Sequence, residues 1–148
     1  PPTVQVVFVG DIMLDDGPGK AVASGVDPFI EFAELFRGAD LNIGNLECVI
    51  ATTGEKVEKP YNFQANPRAI PLLKRYFQAV SVANNHSGDY GTGALVEQFE
   101  LLDKAKLSYF GGGRNLAEAL GAPEIGPGTA GADAGRRQRA AELCGQGG

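Results

Sequence analysis

The sequence predicts an α/β domain with a mainly parallel sheet. Over residues 1–120, short β-branched apolar runs alternate with longer stretches in which apolar residues recur at helical spacing. Parallel strands need a crossover about as long as a helix, so this alternation is typical of a parallel sheet. A chain of 148 residues is long enough for one such domain with its own core. The expected content is about four strands and three helices.

Four apolar runs are predicted as strands. The first, residues 4–9, is nearly continuous and β-branched, as expected for a strand covered on both faces. The others follow at 41–43, 79–83 and 107–110. Inside the polar, turn-rich stretch that follows the second strand, residues 61–63 are a candidate short edge strand.

Three helices are predicted from capping signals and periodicity. Asp27-Pro28 and Asn66-Pro67 each place a capping side chain before a proline at the first helical position. The first helix is expected to end at Gly38, and the third to cover residues 92–106. The Asp15-Asp16 pair is predicted to be part of a solvated loop.

Residues 121–148 have a different character. They contain eight glycines and the basic segment Arg136-Arg137-Gln138-Arg139, without a strand pattern. Such a segment buries too little apolar surface to offset its conformational entropy. The sequence therefore divides into a domain over residues 1–120 and a tail predicted to be disordered over 121–148.

Composition excludes several classes of protein. The formal net charge of −5 argues against a general nucleic-acid-binding surface, which depends on clustered lysine and arginine. No apolar stretch approaches the roughly 20 residues that span a bilayer, so no membrane span is expected in this chain. Cys48 and Cys144 form neither a metal-binding pair nor a disulfide framework and are interpreted as two unrelated thiols.

Polar side chains follow the ends of the first three predicted strands. Asp11 follows the first, Asn45 and Glu47 follow the second, and the segment "NNHSGD" at 84–89 follows the third. Because parallel strands end at the same edge of a sheet, these groups are expected to converge. Carboxylate, amide and imidazole groups suit divalent cations, and two such cations could activate water against a phosphoryl group. His86 could bind a cation or protonate a leaving-group oxygen.

Each pattern also has an ordinary structural interpretation. Gly10-Asp11 fits a turn, Glu47 fits a solvated loop acid, and Asn84-Asn85 fits a left-handed turn. The glycines at 111–113 offer a rival site, because backbone N–H groups after a strand can hold phosphate. That stretch matches neither a Walker A sequence nor a Rossmann fingerprint, and an ordinary turn is the favoured interpretation.

Six segments together resemble the bacterial capsule-synthesis CapA family, also called poly-γ-glutamate biosynthesis proteins. They occur in the order that the family shows and cover about residues 4–120: "VGDIML" (9–14), "DPF" (27–29), "ADLNIGNLEC" (39–48), "KPYNFQANP" (59–67), "VSVANNHSGDYG" (80–91) and "YFGGGRNLAEA" (109–119). The family is in turn similar to calcineurin-like metallophosphoesterases, which have a layered α/β fold and a dinuclear metal centre at the strand ends. The resemblance therefore implies a metal-dependent hydrolase.

The resemblance also implies roles for single residues. Asp11 corresponds to a first metal ligand, Glu47 to a bridging carboxylate, Asn85 to a further ligand and His86 to the acid that protonates the leaving group. Supporting positions are Asn45, Asn84 and Asp89. The implied cofactors are divalent ions of the Mn, Zn or Fe class.

Two departures from the family pattern leave the function open. The first strand ends Asp11-Ile12-Met13, without the histidine of a typical phosphoesterase, and the family's later "HWG"-like and "GHHPH"-like segments have no counterpart here. The resemblance thus implies that the chain corresponds to an N-terminal portion, with an incomplete set of about four strands and three helices for the layered fold. It is expected to act either as a phosphoesterase-type protein of capsule or poly-γ-glutamate assembly, or as a non-catalytic scaffold or binding module of that assembly. The resemblance implies partners among the assembly proteins and a location at the cell envelope or its outer face.

Overall fold

The computed structural model describes residues 3–123 and 125, and it confirms the α/β class. Six strands are formed by these described residues: β1 (Val6–Ile12), β2 (Leu41–Leu46), β3 (Val49–Ile50), β4 (Gln64–Ala65), β5 (Ala79–Ser81) and β6 (Ser108–Phe110). Five α-helices accompany them in the same part of the chain: α1 (Asp16–Ala23), α2 (Ala33–Gly38), α3 (Ile70–Tyr76), α4 (Gly91–Ala105) and α5 (Leu116–Leu120). The main sheet has the order β1-β2-β5-β6 with every neighbouring pair parallel, as the alternation predicts. The strands β3 and β4 form a separate parallel pair.

The predicted loop at Asp15-Asp16 is wrong, because this segment begins helix α1. The Asp15 side chain caps the helix by accepting a hydrogen bond from the Asp16 N–H at 2.8 Å. Its second carboxylate oxygen accepts from the Gln64 N–H of β4 at 2.9 Å. Gly19 permits the tight first turn, since a Cβ there would lie 2.6 Å from the Leu14 carbonyl oxygen. This contact joins two residues that are 49 positions apart and contributes to the stability of the helix. It could not be recognised from the local sequence around Asp15.

Two further elements differ in position from the sequence prediction. The first predicted helix is divided into a 3₁₀ turn, Ile30–Phe32, and the short helix α2. The candidate strand at 61–63 is displaced to β4, which starts at Gln64. The N–H of Phe63 donates to the Asp89 carboxylate at 2.7 Å and is therefore not available to a strand partner.

The hydrophobic core lies on one face of the main sheet. Alternate strand residues Val7, Val9, Val80 and Tyr109 pack against it. The opposing helices α2, α3 and α4 contribute the large buried side chains Phe36, Leu73, Tyr76, Phe99 and Leu102, and Phe77 follows directly after α3. The Phe99 ring of α4 stacks on Tyr109 of β6 with centroids 5.1 Å apart, which fixes α4 against the sheet edge.

The opposite face of the sheet is open at β1. Val6 and Phe8 point away from the core and are 40% and 73% exposed. The expectation that residues 4–9 are covered on both faces is therefore wrong for the part of the chain that the structure describes. The physical reason is that Val7 and Val9 pack against the core, so the residues that alternate with them point to the face that the core does not cover.

An irregularity in β1 aligns the strand ends. Phe8 pairs with Ile43, but Asp11 pairs with Asn45, so β1 carries one extra residue between these two pairs. Such a bulge redirects the side chains that follow it. Asp11 is thereby brought level with Asn45, which itself pairs with Ser81 of β5. The carboxyl ends of the three strands thus form one rim, called here the strand-end rim (Asp11, Asn45, Glu47 and residues 84–89).

No helix among the described residues is both long and apolar enough to cross a membrane. Residues 121–123 and 125 of the predicted tail are described and form neither helix nor strand. The rest of the predicted tail lies outside the described residues, as does Cys144, so the predictions for both stay predictions. Cys48 is fully buried, and its burial raises the pKa of the thiol to about 12, which suppresses the reactive thiolate.

Candidate functional site

One asparagine amide joins the two carboxylates of the strand-end rim. The Nδ2 group of Asn45 donates to Asp11 Oδ1 at 2.9 Å and also to Glu47 Oε2. Asp11 is exposed, whereas only 16% of the Glu47 side chain is exposed. The structure therefore brings together two acidic groups that are 36 residues apart in sequence (Asp11 and Glu47).

Asn84 links the loop after β5 to the end of β2. Its Nδ2 group donates to Asn45 Oδ1 at 3.0 Å and to the Leu46 carbonyl oxygen at 2.9 Å. Its Oδ1 accepts from the His86 N–H at 3.0 Å. The Ser87 hydroxyl lies 3.1 Å from the same oxygen, but its single proton also faces the Val82 carbonyl oxygen. Both amide protons of Asn84 are thus used within the rim, so Asn84 holds the rim together.

His86 is oriented by a buried aspartate. Its Nδ1 atom lies 2.7 Å from Asp89 Oδ2, and Asp89 is fully buried. Burial raises the pKa of Asp89, but hydrogen bonds from Lys59, His86 and the Phe63 N–H outweigh it and hold the pKa below its ordinary value. Asp89 is therefore a carboxylate at neutral pH and only accepts hydrogen bonds, so the proton in the Nδ1···Oδ2 contact belongs to His86.

The other imidazole nitrogen faces the acidic pair. His86 Nε2 lies 3.9 Å from Glu47 Oε1, which is too long for a hydrogen bond. The Phe63 ring packs on the imidazole with a centroid distance of 4.4 Å and a tilt of 35°. The ring of His86 is thus fixed on one face and at Nδ1, and its Nε2 atom is directed toward Glu47.

Seven site residues are predicted from the sequence, and hydrogen bonds that involve side chains join six of them in the described part of the chain. These six are Asp11, Asn45, Glu47, Asn84, His86 and Asp89. Glu47 is joined to the others through Asn45. Asn85 is exposed and is connected to the site through its backbone, because its carbonyl oxygen accepts a hydrogen bond from Lys59 Nζ at 2.7 Å. Lys59 and Phe63 were missed from the sequence as site residues. The signal that could have found them is their place in the "KPYNF" segment, which carries part of the family resemblance.

The donor set fits part of a cation site. Within the described residues, no three His, Cys, Asp or Glu side chains come together in a group able to hold a metal ion. Asp11 and Glu47 nevertheless present two carboxylates around one neutral amide, and carboxylate oxygens are ligands of hard divalent cations. These residues suit two positions of a coordination shell and do not complete one.

A cavity of about 550 Å³ adjoins the His86 loop. Asn84, Asn85 and Ser87 line one side, and the glycines at 111–113 line the other. A Cβ at Gly111 would lie 2.5 Å from Ala83 Cβ, and one at Gly112 would lie 2.8 Å from Val82 Cγ2. These glycines therefore allow the loop after β6 to pack closely against the end of β5.

The fold and the rim define an α/β protein with an acidic and histidine-bearing cluster at the carboxyl ends of parallel strands. Residues 5–125 match the family of the bacterial capsule synthesis protein PGA_cap, and the chain belongs to this family. The match covers the whole strand-end rim and confirms the resemblance that the six segments indicate.

Relatives from three bacteria match most of this chain. The chain is 30% identical over 117 residues to the PGA biosynthesis protein CapA of Bacillus subtilis, and the match covers 76% of the chain and 31% of the relative. It is 25% identical over 122 residues to the capsule biosynthesis protein CapA of Bacillus anthracis, covering 78% and 30%. A Sinorhizobium fredii protein, y4uA, is 32% identical over 126 residues, covering 79% and 26%. The chain thus spans less than a third of the length of these relatives.

Proposed function

We propose that this chain acts in bacterial capsule or poly-γ-glutamate biosynthesis and that its strand-end rim is a cation-dependent phosphoester site of the metallophosphoesterase type. The family match and the names of the two Bacillus relatives support the process. The proposed partners are other proteins of the same envelope polymer assembly. The chemistry is argued from the rim itself.

One observation supports the chemistry most strongly. The Asn45 amide holds Asp11 and Glu47 on either side of it, while His86 Nε2 faces Glu47 across 3.9 Å. Acidic groups beside an imidazole that is hydrogen-bonded to a buried carboxylate are the components needed to hold a cation and to move a proton.

Three residues are proposed to hold the cation. Asp11 and Glu47 would supply anionic oxygens, and the exposed Asn85 would supply a neutral side-chain oxygen. Ions of the Mn, Zn or Fe class accept such mixed donors. A bound divalent cation neutralises charge on a phosphoryl group and orients it.

His86 is proposed as the general acid. A proton on its Nε2 atom can pass to a leaving-group oxygen placed between the imidazole and Glu47. Asp89 keeps the Nδ1 proton in place at 2.7 Å and stabilises the charged imidazolium electrostatically.

A second function is favoured by one observation. No three-ligand metal group is present among the described residues. This fits a non-catalytic scaffold or binding module that keeps the rim for contacts within the assembly.

Hydrolysis of a generic phosphodiester in the presence of Mn²⁺ separates the two functions. We expect turnover by the wild type, a loss of about 10²- to 10⁴-fold on His86→Ala because the proton donor is removed, and a comparable loss on Glu47→Gln. Glu100→Gln, on the exposed side of α4, is the matched control and should leave the rate unchanged. A wild type without turnover would contradict the catalytic proposal and favour the binding module.

A further inference from the structure

Another cavity is formed where helix α1 meets the segment 64–69, and its volume is about 220 Å³. It is called here the α1 cavity, after the charged residues Asp15, Asp16, Lys20 and Arg68 that line it. Pockets for drug-sized ligands measure roughly 300–1,000 Å³, so this cavity suits a smaller molecule. The described residues that line it include none of the strand-end rim. The α1 cavity is therefore separate from the site proposed above.

Two cationic side chains in the α1 cavity have no acidic partner. The ammonium of Lys20 makes neither a hydrogen bond nor an ion pair with any described residue. Arg68 uses only its Nε–H, which donates to Asn66 Oδ1 at 3.2 Å, so both terminal nitrogens keep their N–H donors free within the described part of the chain. Such a pair of terminal nitrogens matches the two oxygens of a carboxylate. The cavity thus offers two cationic positions, on two different elements, to anionic groups of a ligand.

An acidic pair lines the same cavity. The two carboxylate oxygens of Asp15 accept from the Asp16 N–H and from the Gln64 N–H. The Asp16 carboxylate has no partner among the described residues, although Lys20 stands four positions later, where a helical ion pair could form. The pair therefore brings negative charge to the cavity, and Asp16 is able to accept hydrogen bonds from an ammonium group of a ligand.

We propose that the α1 cavity binds an acidic α-amino acid, with Lys20 and Arg68 each holding a carboxylate and Asp16 holding the ammonium. A dicarboxylate or phosphate would match the two cations, but the two aspartates would repel it. A simple amine would match the aspartates, and the cations would repel it. A molecule with two carboxylates and one ammonium is complementary to all of these groups.

The wall of the cavity also suits the rest of such a molecule. Leu14 and Ala69 line it with buried apolar side chains, which can contact the methylene groups between the two carboxylates. This proposal uses no residue of the strand-end rim, and it does not rest on the function proposed for the rim.

NMR titration of the ¹⁵N-labelled chain with L-glutamate and with L-aspartate tests the class of ligand. Glutarate and succinate are the matched control ligands, because they are the same dicarboxylates without the amino group. The buffer contains a chelator, so that a cation at the rim has no part in the binding. We expect the better-binding amino acid to bind at least about tenfold more tightly than its dicarboxylate, since the ammonium gains a charged hydrogen bond to Asp16.

Three variants test the residues assigned to the cavity. Lys20→Met and Arg68→Met each remove one cation, and Asp16→Asn removes the acidic charge. The φ of Asp16 is +45°, a conformation that asparagine adopts more readily than most residues, so this variant keeps the first turn of α1. Each variant should weaken binding of the amino acid by about tenfold or more. Lys104→Met, at an exposed lysine of α4 outside the cavity, should bind as the wild type does.

The replaced side chains are exposed, and the urea-denaturation midpoint shows that each variant is folded. A wild type that binds neither amino acid would overturn the proposal, as would a dicarboxylate that binds as tightly as its amino acid. Stronger binding by Asp16→Asn would show a site for plain anions and would overturn it too. Binding that is unchanged in both Lys20→Met and Arg68→Met would place the ligand elsewhere and contradict the assignment.

Discussion

Replacing Asp89 with asparagine is expected to lower the free energy of unfolding by about 3 kcal/mol, because a buried charge pair is broken and donors lose their acceptor. The carboxylate accepts from Lys59 Nζ, from the Phe63 N–H and from His86 Nδ1. An asparagine has one oxygen, so its amide N–H₂ must face at least one of these donors. Urea denaturation of the wild type and the variant measures the difference.

The matched control for Asp89→Asn is Asp103→Asn, which breaks the ion pair between Arg114 and Asp103 on the surface. Their side chains are 35% and 50% exposed, so the expected loss is below about 1 kcal/mol. The pH dependence gives a second check. The folded-state pKa of Asp89 lies below its ordinary value of 3.8, so its contribution is complete above that pH and is lost as the pH falls through the lowered pKa. Equal losses for the two variants at neutral pH would contradict the burial of this network.

Replacing Phe77 with alanine is expected to cost about 3–5 kcal/mol of unfolding free energy, the range for removing a large aromatic side chain from a core. Phe77 is 1% exposed, and its ring contacts those of Phe29 and Phe36 with centroids 5.4 and 5.2 Å apart. The substitution leaves a cavity between the end of α3 and the helix α2. Thermal and urea denaturation both measure the loss.

Phe8→Ala is the control for Phe77→Ala, because it removes the same ring from the open face of the sheet. Phe8 is 73% exposed, so its replacement should change the unfolding free energy by no more than about 0.5 kcal/mol. A loss comparable to that of Phe77→Ala would show that the β1 face is covered and would refute a core restricted to one side of the sheet.

Local signals in the sequence were sufficient for the elements with local causes. The alternation of apolar runs and amphipathic stretches led to the parallel sheet, and Asn66 does cap the turn at Pro67 by accepting from the Arg68 N–H at 3.0 Å. The position of the rim also followed from topology, since parallel strands must end at one edge. Asp11, Asn45 and Glu47 could therefore be grouped without coordinates.

Features that depend on distant partners could not be predicted. Helix α1 depends partly on the contact between Asp15 and Gln64, and Lys59 reaches Asp89 from 30 residues away. The bulge that aligns Asp11 with Asn45 lies between Phe8 and Asp11, and its local signal in the sequence is Gly10. A single glycine is too weak a signal to predict a bulge. The exposure of Phe8 was missed because a continuous apolar run can occur in a strand with one covered face as well as in a strand with two covered faces. The sequence pattern alone does not distinguish these two strands.

The central claim is that the rim presents Asp11 and Glu47 jointly to a divalent cation, and calorimetric titration of the intact chain with Mn²⁺ tests it most directly. We expect stoichiometric binding by the wild type, and binding at least about tenfold weaker in Asp11→Asn and in Glu47→Gln. Glu100→Gln should bind as the wild type does. A wild type that binds no Mn²⁺, or a Glu47→Gln variant that binds as tightly as the wild type, would contradict the claim.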